Sequence, residues 1–158
     1  MQPSAETLSA WRLLLETHRR LATALDRELV DEHDLALDWY DVLIQLNEAG
    51  GRLRMHELSE ATLFSRTGCT RLVDRMARAG LVRRERATDD GRGVVAVLTP
   101  AGKSRLRAAA GTHLAGIQRL FGEHLETPEV DALRTGLGRV VEAATNRSHT
   151  EHSHRSTA

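Results

Sequence analysis

Arginine, threonine and glycine residues are concentrated in two short stretches of the chain. Residues 65–78 read SerArgThrGlyCysThrArgLeuValAspArgMetAlaArg, and residues 90–93 read AspGlyArgGly. The guanidinium of arginine is a planar fork of N–H donors that pairs in two places at once with a phosphate or with the edge of a guanine. Glycine allows the backbone to turn sharply and to approach another surface closely. These residue types favour recognition of a polyanion.

The distribution of charge supports this interpretation, although the net charge is zero. Residues 52–92 contain ten arginines and six acidic residues, whereas the rest of the chain contains 12 basic and 16 acidic residues. The positive charge is therefore collected in one central segment, as in many nucleic-acid-binding surfaces.

The composition predicts a mostly helical protein with an aliphatic core. Hydrophobic residues make up 41% of the 158 residues, but only 3% are aromatic. No apolar run approaches the roughly 18 residues that a membrane span needs. Because Glu6, Arg12 and Glu16 interrupt the start of the chain, a signal peptide is not expected, and we predict a cytoplasmic protein. A single cysteine, Cys69, excludes an internal disulfide framework and a multi-cysteine zinc site.

Apolar residues at helical spacing predict a long first helix from near Ser4 to about residue 30. A polar break is expected at Asp31–Asp34, followed by a second helix from about Asp38 that ends at Gly50 and Gly51. Near the C-terminus, one helix is predicted from Pro100 to about Glu123 and another from Pro128. The polar residues 147–158 predict a disordered tail.

The central elements are shorter. Residues 54–61 predict a helix of about two turns, residues 62–64 a turn, and Ser65 the N-cap of the next helix. That helix has an apolar face and an arginine- and threonine-rich face, which is typical of a helix-turn-helix. The β-prone runs 81–86 and 94–98 then predict a hairpin, which in this place would be a wing.

Several motifs in this region are similar to those of the MarR family of bacterial transcriptional regulators. They are GlyLeuValArgArgGlu at 80–85, AspGlyArgGly at 90–93, LeuThr at 98–99, ThrArgLeuValAspArgMet at 70–76 and GluLeuSer at 57–59. The resemblance covers residues 50–103 closely, and elsewhere only the order of helices matches. One departure is Leu63, at a turn position where many helix-turn-helix proteins carry glycine.

The resemblance implies a mostly α (α+β) fold with a winged helix-turn-helix lobe over about 38–99. It also implies that the helices at about 4–30 and 101–146 form a dimerisation region, within one domain spanning 4–146. A homodimer that binds palindromic DNA and responds to a small-molecule or redox signal is then expected. No catalytic activity and no cofactor are implied.

The resemblance and the residue types together predict the DNA contacts. Arg92 would enter the minor groove between two glycines, and Asp90 would hold a wing arginine in place. The helix that follows Ser65 would be the recognition helix, and its first two turns would enter the major groove. For Arg78, Arg83 and Arg84, a DNA role and a solvated face are equally compatible with the sequence. The predicted DNA-binding residues are Ser65, Arg66, Thr67, Gly68, Thr70, Arg71, Arg75, Asp90 and Arg92.

An inverted-repeat operator and a repressor released by an aromatic or phenolic ligand are the functional expectation. Trp11, His18, Trp39 and Tyr40 are the side chains that could line the ligand cavity. For Trp11 and Trp39, however, the sequence favours a role as core anchors of the first two helices, and His18 could equally belong to the core of a dimer.

Four other interpretations remain at this point. Cys69 with a histidine could be a nucleophilic pair, or Cys69 could sense redox state, but its apolar neighbours favour simple packing. Glu32, His33 and His113 could contribute to a regulatory zinc site. A helical dimer without DNA affinity would leave the arginine concentration unexplained.

Overall fold

The computed structural model of the protein describes residues 2–87 and 93–155. The chain divides into two compact units, Met1–Ile117 and Gln118–Ala158. The elements are α1 (Ala5–His33), α2 (Leu37–Glu48), β1 (Arg52–Arg54), α3 (Met55–Thr62), α4 (Arg66–Arg78), β2 (Val82–Arg86), β3 (Val94–Leu98), α5 (Pro100–Leu120), a 3-10 helix (Gly122–His124) and α6 (Thr127–Arg155).

Helix α1 begins where the sequence indicates, because the Ser4 hydroxyl accepts a hydrogen bond from the Thr7 amide at 3.2 Å. It ends later than predicted. The expected break at Asp31–Asp34 is wrong for its first three residues, which continue the helix, and only Asp34 leaves it, with a left-handed φ of 48°. Polar residues do not stop a helix while its backbone hydrogen bonds continue.

The two halves of α1 have different surroundings. Leu29 is fully buried, whereas every residue from 2 to 20 is exposed within this chain. The exposed part includes Leu8, Trp11 and Leu15, which fall on one stripe of the helix. Only the second half of α1 therefore belongs to the core of the first unit.

The start of α2 depends on a side chain from α1. Ala36 occupies the N-cap position and has no polar side chain, but the Asp26 carboxylate accepts a hydrogen bond from the Leu37 amide at 2.8 Å. This carboxylate replaces the missing cap and also suits the positive end of the helix dipole. The contact therefore attaches the α2 start to α1.

A three-stranded antiparallel sheet closes one side of the core, with strand order β1-β3-β2. The predicted hairpin is confirmed as β2 and β3, but β1 was not predicted. Its three residues are too short for a periodic signal, and their strand conformation comes from pairing Leu53 with Ala96. Ala96, at the centre of the sheet, is fully buried.

The first unit has one aliphatic core to which α1, α2, α3, α4, α5 and the sheet all contribute. Cys69 packs in it as a small apolar residue with 1% of its surface exposed. Its fully buried members include Leu29, Leu43, Leu46, Leu58, Val73 and Met76.

Helix α5 approaches the sheet very closely at Gly102. A β-carbon at this position would lie 2.1 Å from the Leu81 carbonyl oxygen, so only glycine fits. The Thr99 hydroxyl caps this helix by accepting from the Gly102 amide at 3.0 Å. The sequence predicted α5 to about Glu123, but it ends at Leu120 and a 3-10 turn follows.

Polar contacts join α5 to α1, and a ring contact joins it to α2. Thr112 donates to a Glu32 carboxylate oxygen at 2.9 Å, and its oxygen lies 2.7 Å from His33 Nε2. The His113 ring packs against the Tyr40 ring, with 4.3 Å between the ring centroids and 42° between the ring planes. Burial lowers the pKa of His113, and its Nδ1 is buried without a hydrogen-bond partner among the described residues.

The second unit is built around α6. Residues 147–155 continue this helix, where the sequence predicted a disordered tail from 147, and residues 156–158 lie outside the described part. A helix propagates beyond its last apolar residue because each further residue adds a backbone hydrogen bond. The exposed apolar residues of α6 are Val130, Leu133, Leu137, Val140 and Val141.

No helix in the described part of the chain combines the length and apolar character that crossing a membrane requires.

We expect Gly102→Ala to lower the free energy of unfolding by about 1–3 kcal/mol, because its β-carbon would meet backbone rather than a flexible side chain. Gly111 on the same helix is the matched control, since a β-carbon there would meet nothing within 4 Å. Gly111→Ala should raise stability by up to about 1 kcal/mol through helix propensity. Urea unfolding measures both changes, and equal effects would contradict the close packing at Gly102.

The buried His113 predicts a loss of stability in mild acid. Its pKa is lowered in the folded state from an ordinary value of 6.5, so the unfolded chain binds more protons as the pH falls through that value. Burial and the charge of Asp38 raise the pKa of Asp41 in the folded state. Protonation of Asp41 at lower pH therefore favours the folded state, which opposes the effect of His113.

We expect wild type to lose more unfolding free energy than His113→Phe between about pH 7.5 and about pH 5.5. Phenylalanine keeps a ring against Tyr40 without a titratable nitrogen. Urea unfolding at the two pH values gives the comparison, and equal losses in both proteins would exclude His113 as the source.

Candidate nucleic-acid interface

Helices α3 and α4 are joined by a tight turn in which Leu63 has a φ of 60°. This is the left-handed conformation that glycine adopts easily and that a residue with a β-carbon adopts at a cost. The Leu63 side chain is 90% exposed, so no burial compensates for that cost. The turn expected between two helices is thus present although its usual glycine is missing.

Helix α4 has the two faces that its sequence indicates. Cys69, Leu72, Val73 and Met76 are buried, and burial raises the pKa of the Cys69 thiol. The opposite face is open to solvent. Its exposed side chains are Arg66, Thr67, Arg71, Arg75 and Arg78. None of these side chains has a hydrogen-bond or ion-pair partner among the described residues.

Three residues predicted to bind DNA also have structural roles at the start of α4. The Ser65 hydroxyl accepts from the Gly68 amide at 3.0 Å and so caps the helix. A β-carbon at Gly68 would lie 3.0 Å from that hydroxyl oxygen, which makes glycine favourable here for an intramolecular reason. The Thr70 hydroxyl donates to the Arg66 carbonyl at 2.9 Å. These contacts set the geometry of the turn that presents Arg66 and Thr67.

The hairpin after α4 is closed by the Ala87 amide, which donates to the Gly93 carbonyl at 3.2 Å. Gly93 has a φ of 99°, so the predicted need for glycine at this place is confirmed. Asp90 and Arg92, the two predicted contact residues of the wing, lie outside the described residues.

The arginines of β2, whose roles the sequence left open, form ion pairs. Arg83 pairs with Glu85 at 2.8 Å, and Arg52 of β1 approaches the other oxygen of that carboxylate at 3.4 Å. Arg84 pairs with Asp74 of α4. The sequence analysis did not predict the Arg84 contact. The one feature of the sequence that could have indicated it is that Asp74 is the only acidic residue of α4.

The four residues predicted to line a ligand cavity have separate environments in this chain. Trp11 is 55% exposed and His18 is exposed, both in the first half of α1. Trp39 is half-buried against the core of the first unit, and Tyr40 is buried against His113. The described residues therefore bring Tyr40 to His113, a partner that the sequence did not indicate.

The residues considered for metal or redox sensing also have other partners. Glu32 and His33 meet at Thr112, while His113 lies against Tyr40. Among residues that the structure describes, no group of three or more histidine, cysteine, aspartate or glutamate side chains could hold a metal ion. Cys69 is buried with a raised pKa, which opposes formation of the reactive thiolate.

The sequence and the fold of this chain are both similar to those of known transcriptional regulators. The sequence model of the MarR family matches residues 33–93. AbsC, a MarR family transcriptional regulator from Streptomyces coelicolor, is 33% identical with a TM-score of 0.84, over 92% of this chain and 99% of AbsC. Sco3205, a regulator of the same family and organism solved in complex with DNA, is 30% identical with a TM-score of 0.83, over 90% of each chain.

A more distant structure is similar in fold alone. BpsR from Bordetella bronchiseptica, studied for regulation of its DNA binding by 6-hydroxynicotinic acid, is 20% identical with a TM-score of 0.77, over 89% of this chain and 98% of BpsR. A search of curated protein sequences found no match.

The left-handed Leu63 predicts that Leu63→Gly stabilises the protein by up to about 1 kcal/mol, because glycine removes the β-carbon cost at positive φ. Leu63→Ala is the matched control, since it shortens the exposed side chain but keeps the β-carbon. Thermal and urea unfolding compare the variants. A Leu63→Gly protein no more stable than Leu63→Ala would show that the turn is not strained.

Proposed function

Because the chain belongs to the MarR family of transcriptional regulators, we propose that it is a homodimeric repressor that binds an inverted-repeat operator. The observation that carries this proposal is the outer face of α4. Its arginines are exposed while the opposite face is buried in the core. Such a helix presents base-reading and phosphate-binding groups in a fixed orientation.

The contacts are assigned by their places on the helix. Arg66, Thr67 and Arg71 lie in the first two turns and are proposed to read base edges in the major groove. Arg75 is one turn further along and would meet phosphate. Ser65, Gly68 and Thr70 support the presentation of these groups and lie close enough in sequence to contribute backbone contacts. Asp90 and Arg92 are proposed as the wing's contribution at the minor groove.

The proposed dimer is supported by apolar residues that each unit leaves exposed. Leu8, Trp11 and Leu15 form a stripe on α1, and α6 exposes five large apolar residues at helical spacing. Contiguous apolar surface of this kind marks association sites. A two-fold dimer would place two recognition helices about 34–36 Å apart, which corresponds to half-sites about 10 bp apart.

An aromatic or phenolic effector is the finer part of the proposal. Trp11, His18, Trp39 and Tyr40 are the proposed lining, with Trp11 and His18 available because they are exposed in the single chain. The regulation of BpsR by 6-hydroxynicotinic acid makes that compound a suitable first probe. A coupling of about 1–3 kcal/mol would release DNA several-fold to about a hundred-fold.

The DNA-binding proposal is tested with Arg71→Ala and a matched control, Arg107→Ala, which removes the same charge from an exposed position on α5. Loss of a base contact should weaken operator binding by about 1–3 kcal/mol. The control should change it little. Fluorescence anisotropy of labelled DNA from the gene's own upstream region, at several salt concentrations, measures both affinities.

Wild type should bind in the nanomolar range with a steep salt dependence. Arg92→Ala tests the wing in the same assay and should also weaken binding. If wild type binds the upstream DNA no better than random duplex, selection from a random DNA library decides between a distant operator and a wrong function. A selection that enriches no sequence would contradict the proposed function.

A further inference from the structure

Asp74 stands in the middle of the face of α4 that is proposed to meet DNA. It lies three residues after Arg71 and four before Arg78, so the three side chains share one side of the helix. A free carboxylate there would repel phosphates. Asp74 is half-buried and is the one acidic residue of α4, so its place on this face needs a physical explanation.

The Asp74 carboxylate is paired with the Arg84 guanidinium of β2, and the two side chains are 43% and 34% exposed. Arg84 stands opposite Ala96 in the strand register, and Ala96 is fully buried. Because side chains alternate along a strand, Arg84 lies on the sheet face that is turned toward the helices. Arg83 and Glu85, its neighbours, lie on the other face and pair with each other.

This contact joins the two DNA-binding elements. Helix α4 leads through Gly80, with a φ of 75°, into β2, and β2 leads to the wing. The backbone link between them is short but contains a glycine, while the ion pair crosses from the third turn of α4 to the middle of β2. Two elements that reach adjacent grooves of DNA bind more tightly when their separation is already fixed in the free protein, because less conformational entropy is lost on binding.

We propose that Asp74 and Arg84 are a positioning pair that holds the wing at the separation from α4 which the operator requires, and so favours the operator over other DNA. The proposal rests on the proposed DNA-binding function. An ion pair this exposed adds little to folding stability. A clear loss of operator affinity in a variant of unchanged stability is therefore not caused by loss of folding.

Two simpler roles predict different results. If Asp74 only repels DNA, Asp74→Asn will strengthen binding to operator and random DNA alike. If Arg84 independently contacts phosphate, Arg84→Gln will weaken both DNAs, will reduce the salt dependence, and will do so equally when Asp74 is already asparagine. A positioning pair predicts loss on operator DNA from each single substitution and no further loss in the double variant.

The experiment compares wild type, Asp74→Asn, Arg84→Gln and the double variant on operator and on random duplex of equal length. Glu85→Gln is the matched control, because it breaks the Arg83 pair on the other face of the same strand. Each single variant should weaken operator binding about tenfold, and the double variant about tenfold as well. Glu85→Gln should stay near wild type. Additive losses, or stronger binding by Asp74→Asn, would overturn the proposal.

Hydrogen exchange without DNA separates this proposal from the function on which it rests. Breaking the pair should speed amide exchange in β2 and β3 while leaving α2 and α3 unchanged, and Glu85→Gln should have a smaller effect. Unchanged exchange in β2 and β3 would overturn the positioning role whatever the DNA results. If wild type selects no operator, the proposed function fails, and the exchange data alone decide whether the pair orders the wing.

Discussion

The packing of one face of α4 into the aliphatic core is the interaction on which the rest of the structure depends. Leu72, Val73 and Met76 are buried together with leucines of α1, α2 and α3. Burying one face of a helix determines which residues point outward. The arginines of α4 are therefore exposed by necessity, because any rotation of the helix would bring guanidinium groups into an apolar core at a large cost.

Attachment of the wing to this core uses both apolar and polar contacts. Val82 and Ala96 are buried on the inner face of the sheet. Helix α5 packs closely at Gly102 against Leu98, the last residue of β3. Ion pairs add to these contacts: Glu85 pairs with Arg83 and Arg52, and Asp74 pairs with Arg84. Acidic residues in this arginine-rich lobe thus pair with Arg52, Arg83 and Arg84. Within the described part of the chain, the exposed arginines of the outer α4 face have no such partner.

The same residue can serve structure and recognition at the start of α4. Ser65 caps the helix through Gly68, and this leaves little room for a β-carbon at position 68. A residue predicted from its type to touch DNA can therefore be required first by the helix that presents it. Leu63 shows the opposite case, in which a turn is kept although its residue type is unfavourable.

Local patterns in the sequence determined the helices, the hairpin and the exposed face of α4, because periodicity, caps and glycine stops act over a few residues. The helix-turn-helix, the Ser65 cap and the burial of Cys69 were all predicted from such patterns. The tertiary structure alone decided the strand β1, the Asp26 cap of α2, the Tyr40 and His113 contact, and the pairing of Arg84 with Asp74. Each of these joins residues at least ten positions apart or depends on a neighbouring strand. Their partners are chosen by the packing of whole elements, which no short window of sequence contains.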